Sequence, residues 1–120
     1  WLLGISGFTP TLPLTITKGS SFAETITFVD ASSGVDVPLN ITTFTYEAQI
    51  RDADGNLVID LTCTVTNGAA GQMVVSLNPV QTATLAVGSS YRWDLEETNG
   101  SDVTTLFPHS PVFVVDDETV

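Results

Sequence analysis

The sequence predicts an all-β domain, an antiparallel sandwich or barrel of about seven or eight short strands with one short helical crossover. Three observations carry this. Thr, Val, Ile and aromatic residues gather in short alternating runs; Gly, Asn, Asp, Ser and Pro clusters break the chain roughly every 8 to 12 residues; and a single segment switches to helix-start chemistry.

The first strand is expected over Leu12 to Thr17, with Leu12, Leu14 and Ile16 on one face and Thr15 and Thr17 on the other. A Lys18-Gly19-Ser20 turn follows. In the second strand Phe22, Ile26 and Phe28 share a face, and Glu24 interrupts it. Alternation is cleanest from Phe44 to Arg51, where Phe44, Tyr46, Ala48 and Ile50 oppose Thr45, Glu47, Gln49 and Arg51. Asp54-Gly55 reads as a two-residue hairpin turn into Leu57, Ile59, Leu61, Cys63 and Val65. Asn67-Gly68 ends that strand, and Met73, Val75 and Leu77 alternate in the next.

Asn78-Pro79-Val80-Gln81 then supplies an N-cap, a proline at the first helical position and a capping-box Gln. With Gly88 as the stop, the helix is expected to run from Pro79 to Val87. Tyr91, Trp93 and Leu95 form the inward face of the next strand, and Asn99-Gly100 turns it into Val103 to Phe107. The last strand is Val112 to Val115, ahead of the acidic Asp116-Asp117-Glu118.

With 120 residues the chain fits one domain, expected over residues 11–120 behind an N-terminal arm over residues 1–10. The composition, 42% hydrophobic and 14% charged, supports a packed core rather than disorder. Fourteen acidic residues against Lys18, Arg51 and Arg92 give a net charge of -11, which excludes the basic patch that nucleic acid or an anionic membrane surface requires. No apolar run approaches the roughly 18 residues of a membrane span. One cysteine, Cys63, permits no internal disulfide.

Candidate chemistry is sparse. Asp52-x-Asp54-Gly55-Asn56 resembles a calcium loop only faintly: its Gly comes too early and no acidic residue closes it, so a plain hairpin is expected and no metal. Glu96 and Glu97 are strand neighbours and face opposite sides, which prevents a convergent acid–base pair. His109, between Pro108 and Pro111, reads as a loop histidine with neither a nucleophile nor an orienting carboxylate beside it. Cys63 falls on an apolar face away from any cation, as an inert buried thiol does. Asn40-Ile41-Thr42 and Asn99-Gly100-Ser101 match the glycosylation sequon, which has meaning only in a eukaryotic secretory pathway. No phosphate loop, metal-spaced His and Cys set or nucleophile elbow is present. Catalytic residues, cofactor and small-molecule ligand are therefore all expected to be absent.

The arm carries Trp1, Leu2, Leu3, Ile5 and Phe8, which are costly to leave in water, while Gly4, Gly7 and Pro10 interrupt regular structure. It is expected either to dock on a neighbouring subunit, with those five residues as the interface, or to form a first strand closing its own sandwich.

The order of motifs resembles the immunoglobulin-like domains of phage tail and baseplate proteins, including the N-terminal domain of baseplate upper proteins. The resemblance runs through Leu14-Thr15-Ile16-Thr17-Lys18-Gly19-Ser20-Ser21-Phe22, Ala48-Gln49-Ile50-Arg51, Asn67-Gly68 with Gly71, Leu77-Asn78-Pro79 to Gln81-Thr82-Ala83, and Tyr91-Arg92-Trp93-Asp94-Leu95. It implies an immunoglobulin-like sandwich and a non-enzymatic virion structural protein, assembled in the host cytoplasm, whose partners are other virion proteins and copies of itself. A capsid decoration protein and a carbohydrate-binding adhesion module are the alternatives. A buried Trp93 counts against the second, which needs exposed aromatics to stack on sugars.

Overall fold

A computed structural model of the chain describes residues 2–4, 12–30, 34–35, 37–106 and 110–116. Among the described residues ten strands appear in order: β1 (Leu2–Gly4), β2 (Leu14–Thr17), β3 (Phe22–Asp30), β4 (Val37–Pro38), β5 (Thr45–Arg51), β6 (Leu57–Asn67), β7 (Gln72–Leu77), β8 (Tyr91–Asn99), β9 (Asp102–Thr105) and β10 (Ser110–Val115). One helix, α1 (Pro79–Thr82), joins β7 to β8. The additions to the expected strands are β1 and β4.

The strands pair in the order β1-β3-β7-β6-β5-β8-β10-β2, with β4 on β3 and β9 on β8. This path curls into two facing sheets joined through β6. Its first half pairs with β5 through Leu61, and its second half pairs with β7 from Thr62 onward. Pairing is antiparallel except at the two ends of the path, where β1 runs parallel to β3 and β2 parallel to β10.

Period-two alternation sets the core. Strand β7 alternates half-buried and buried residues along its whole length, and Leu12, Leu14 and Ile16 are buried while Thr15 is exposed. Phe28, Ile50, Leu61, Val75, Trp93 and Leu95 are buried as expected; Tyr46 and Tyr91 are half-buried at the margins. Trp93 is 1% exposed, and its indole N–H donates to the Leu12 carbonyl at 2.7 Å. The Leu12 N–H in turn donates to the buried Ser110 hydroxyl at 3.2 Å. The largest core residue is thus fixed both by packing and by a satisfied polar edge.

Two local expectations need correction. The helix stops at Thr82 rather than Val87, because Thr84 and Leu85 bond back to Gln81 and Thr82 in tighter three-residue turns. Asp54-Gly55 is not a two-residue turn. Asp52 N–H bonds to the Asn56 carbonyl around a three-residue loop in which Gly55 takes φ 86°, a left-handed conformation. Asn67-Gly68 ends β6 as expected, and the chain then makes a 3-10 turn over Gly68–Ala70, closed by Gly71 at φ 73°. A Cβ on Gly71 would stand 2.5 Å from the Phe28 carbonyl oxygen, so this position admits glycine alone.

Candidate functional site

Two clusters of polar groups lie at one end of the sandwich, where β7 leads into α1 and where β5 turns into β6 beside the start of β8. The first is a corner between the β2–β3 turn and α1. Pairing of Phe22 with Leu77 brings the two segments together. Asn78 Oδ1 receives the Gln81 N–H at 2.8 Å, and Gln81 Oε1 receives the Asn78 N–H at 2.9 Å, the expected reciprocal cap. Fully buried Thr82 donates its hydroxyl to the Ser20 carbonyl at 2.8 Å and accepts the Gly19 N–H at 3.0 Å. Lys18 Nζ donates to the Leu85 carbonyl at 2.6 Å. Leaving the corner, the Tyr91 hydroxyl accepts the Ala86 N–H at 2.9 Å, five residues upstream.

The second place is a shallow cleft of about 210 Å3 beside the β5–β6 hairpin, lined by Arg51, Asp52, Asp54, Arg92 and Asp94 over the back of Trp93. Arg51 and Arg92 are directly opposed across β5 and β8. Arg51 donates to the Gly55 carbonyl at 3.0 Å and to the Gln49 side chain, with Asp94 at 3.8 Å. Arg92 is exposed. The Asp52 carboxylate accepts the backbone N–H groups of Asn56 and Asp54, both at 2.9 Å, and the Asn56 side chain at 3.3 Å. Those bonds, the Asn56 backbone N–H first, hold Asp52 below the usual carboxylate range. The faint calcium pattern is a self-bonded hairpin. Among the described residues no group of three or more His, Cys, Asp or Glu could hold a metal.

The other sequence candidates are dispersed. Cys63 sits on β6 opposite Val75, and burial, with the Glu47 charge adding to it, pushes its thiol up to about 11. Glu97 accepts the Tyr46 hydroxyl at 2.8 Å, while Glu96 is exposed. Burial, followed by Glu97, raises the Tyr46 phenol well above its ordinary value, and the ring stacks on Phe28 with centroids 5.7 Å apart. Asn40 is exposed and accepts from the Thr42 N–H at 3.0 Å; Asn99 ends β8. Trp1, Ile5, Phe8 and His109 lie outside the described residues. The backbone of Leu2–Gly4 runs along β3 of its own chain, in register from Leu2 opposite Thr27 to Gly4 opposite Val29. For this part of the arm, the described placement is the first-strand alternative.

Sequence reading missed the Arg51–Arg92 opposition and the Tyr91 corner. The outward parity of both arginines was visible, but the register that opposes them belongs to the folded sheet. Tyr91 two residues before Trp93 was a usable signal for the corner.

Two facing sheets, a helical crossover and a tyrosine at the start of the following strand bonded to the backbone upstream together define an immunoglobulin-like β-sandwich. No family model matches the sequence, and no curated protein does. Among solved structures the chain is similar to the ZIG-8–RIG-5 IG1–IG1 heterodimer, at 10% identity and a TM-score of 0.45 over 92% of this chain and 88% of that one. It is also similar to a chimeric titin Z1Z2 carrying a decorin peptide, at 13% identity and a TM-score of 0.42 over 91% of both chains.

Proposed function

We propose that the domain is a non-enzymatic assembly module of a phage particle, of the tail, baseplate or fibre-attachment kind, acting through protein–protein contacts. The observation that carries the contact role is an apolar strip at an open edge. Phe113 is 54% exposed and Val115 41% exposed, two residues apart on the outer side of β10. Beside them runs β2, the last strand of the pairing order, whose far edge has no strand among the described residues. An exposed aromatic next to unpaired backbone groups suits capture of another protein by strand addition and apolar anchoring.

The particle setting rests on the resemblance in motif order, and the non-enzymatic reading on how the candidate groups are used. Asp52, Thr82, Asn78 and Glu97 are engaged in holding turns and strands, and the Cys63 thiol is held neutral. Burial of Trp93 removes that side chain as a stacking platform for the carbohydrate-binding alternative.

Purified particles, labelled with an antibody against the domain and imaged by electron microscopy, test the setting. Symmetric decoration of the tail or baseplate is expected; decoration of the capsid would move the module to that shell, and absence from particles would overturn the proposal. Phe113→Asp is expected to leave the melting temperature within a few degrees and to lower incorporation at least tenfold. Normal incorporation would remove the β10 strip as the contact surface.

A further inference from the structure

We infer that the β1 strand is an exchangeable arm: in an assembly, Leu2–Gly4 of one copy lies on the β3 edge of a second copy. This deepens the assembly reading and rests on it. The occupant of the edge is identified by what already sits there, since β1 runs parallel to β3 from Leu2 opposite Thr27 to Gly4 opposite Val29. Among the described residues β1 pairs with no other strand. A second copy's β1 would make the same bonds to the same edge, so closed monomer and exchanged dimer share their β1–β3 contacts and concentration decides between them.

Two features make release easy. A three-residue strand at the end of the pairing path belongs to the low-stability part of a fold, which opens locally without global unfolding. The β3 edge below it, along Phe22–Ile26, carries β7 on one side and no strand on the other among the described residues, so the resident β1 is the one described strand that an incoming β1 has to displace. Reciprocal exchange gives a two-fold dimer that closes on itself. The net charge of -11 per copy opposes that dimer, so added salt is expected to raise its population by screening the repulsion.

The test uses the full chain with Cys63→Ser, so that introduced thiols alone can react. Leu2→Cys and Thr27→Cys are made separately and together. The double variant, oxidised when dilute, is expected to close within one chain, which verifies the register. The two single variants, unfolded, refolded together at high concentration and oxidised, are expected to give a mixed disulfide dimer whose yield rises several-fold with salt. Closure of the double variant with no mixed dimer at any concentration would confine the arm to its own domain and overturn the inference. Failure of both would overturn the register on which it stands. Neither failure touches the β10 strip, whose test is Phe113→Asp.

Discussion

The corner at Thr82 and the cleft at Arg51 lie at the same end of the sandwich and use similar numbers of polar bonds, yet they differ in what surrounds them. At the corner the Thr82 hydroxyl is fully buried and joins α1 to the β2–β3 turn, 62 residues apart in sequence. In the cleft the Arg51 and Asp94 side chains are 38% and 32% exposed. The Thr82 side chain lies wholly out of water, so no solvent stands in its place when the hydroxyl is removed, whereas in the cleft water is at hand. Hydrogen-bond count is a poor guide to which region holds the fold; burial decides.

The most damaging change lies between the two regions, on the strand that serves both. Trp93 faces the core while Arg92 and Asp94 beside it face the cleft. Trp93→Ala is expected to cost about 3 to 5 kcal/mol, through lost apolar burial, a cavity and an unpaired Leu12 carbonyl. Chemical denaturation measures it. A loss under about 1 kcal/mol would mean that the core does not depend on its largest side chain, and the sugar-binding alternative would return.

Within the corner, Thr82→Val keeps the shape and removes the hydroxyl. It leaves the Gly19 N–H and the Ser20 carbonyl without their partner, for an expected cost of about 1 to 3 kcal/mol. Asn78→Ala removes a cap nearer the surface and is expected to cost about 1 kcal/mol. If the two losses came out in reverse order, burial would not be what ranks these bonds.

The same contrast explains what was legible in the sequence. The Asn78-Pro79-Val80-Gln81 cap was readable because capping is local chemistry within four residues, and the alternating faces of β5, β7 and β8 were readable because strand parity is local too. The length of α1 was not, since the switch to three-residue turns at Thr84 and Leu85 is marked by no glycine or proline before Gly88. Gly71 belongs to a sequence motif, but its reason, the Phe28 carbonyl at its back, comes from β3. The motifs behind the resemblance, Lys18-Gly19-Ser20 and Asn78 to Thr82, meet in space as one structural staple. The cleft was least legible, because the bonds of Arg51 depend on a hairpin type and a strand register fixed only by folding.

Cys63 offers a check on burial that is independent of either region. Its folded thiol is raised to about 11 from 9.0, so the native state holds the proton more tightly than the unfolded chain does. The stabilisation is fully present below pH 9.0 and is lost as pH rises through about 11. Alkylation at pH 8 is expected to be slow in the native protein and to accelerate at least tenfold in denaturant. Equal rates would place the thiol in water.

The smallest effect is expected in the cleft. Arg51→Ala removes the bonds to Gly55 and Gln49 and the contact with Asp94, which makes it look like a serious loss on paper. Each of those partners is at or near the surface and regains water, the ion pair is loose at 3.8 Å, and the change also relieves the opposition of Arg51 to Arg92. The expected cost is under about 1 kcal/mol, shrinking further in high salt as the remaining electrostatics are screened. Stability curves for Arg51→Ala and Thr82→Val at low and high salt make the comparison direct. The Thr82 loss, from neutral groups around a buried hydroxyl, should hold constant with salt, and the Arg51 loss should fall. A large, salt-independent loss at Arg51 would show that its bonds to the hairpin carbonyl, rather than charge, fix the loop, and the cleft would then rank with the corner as a structural joint.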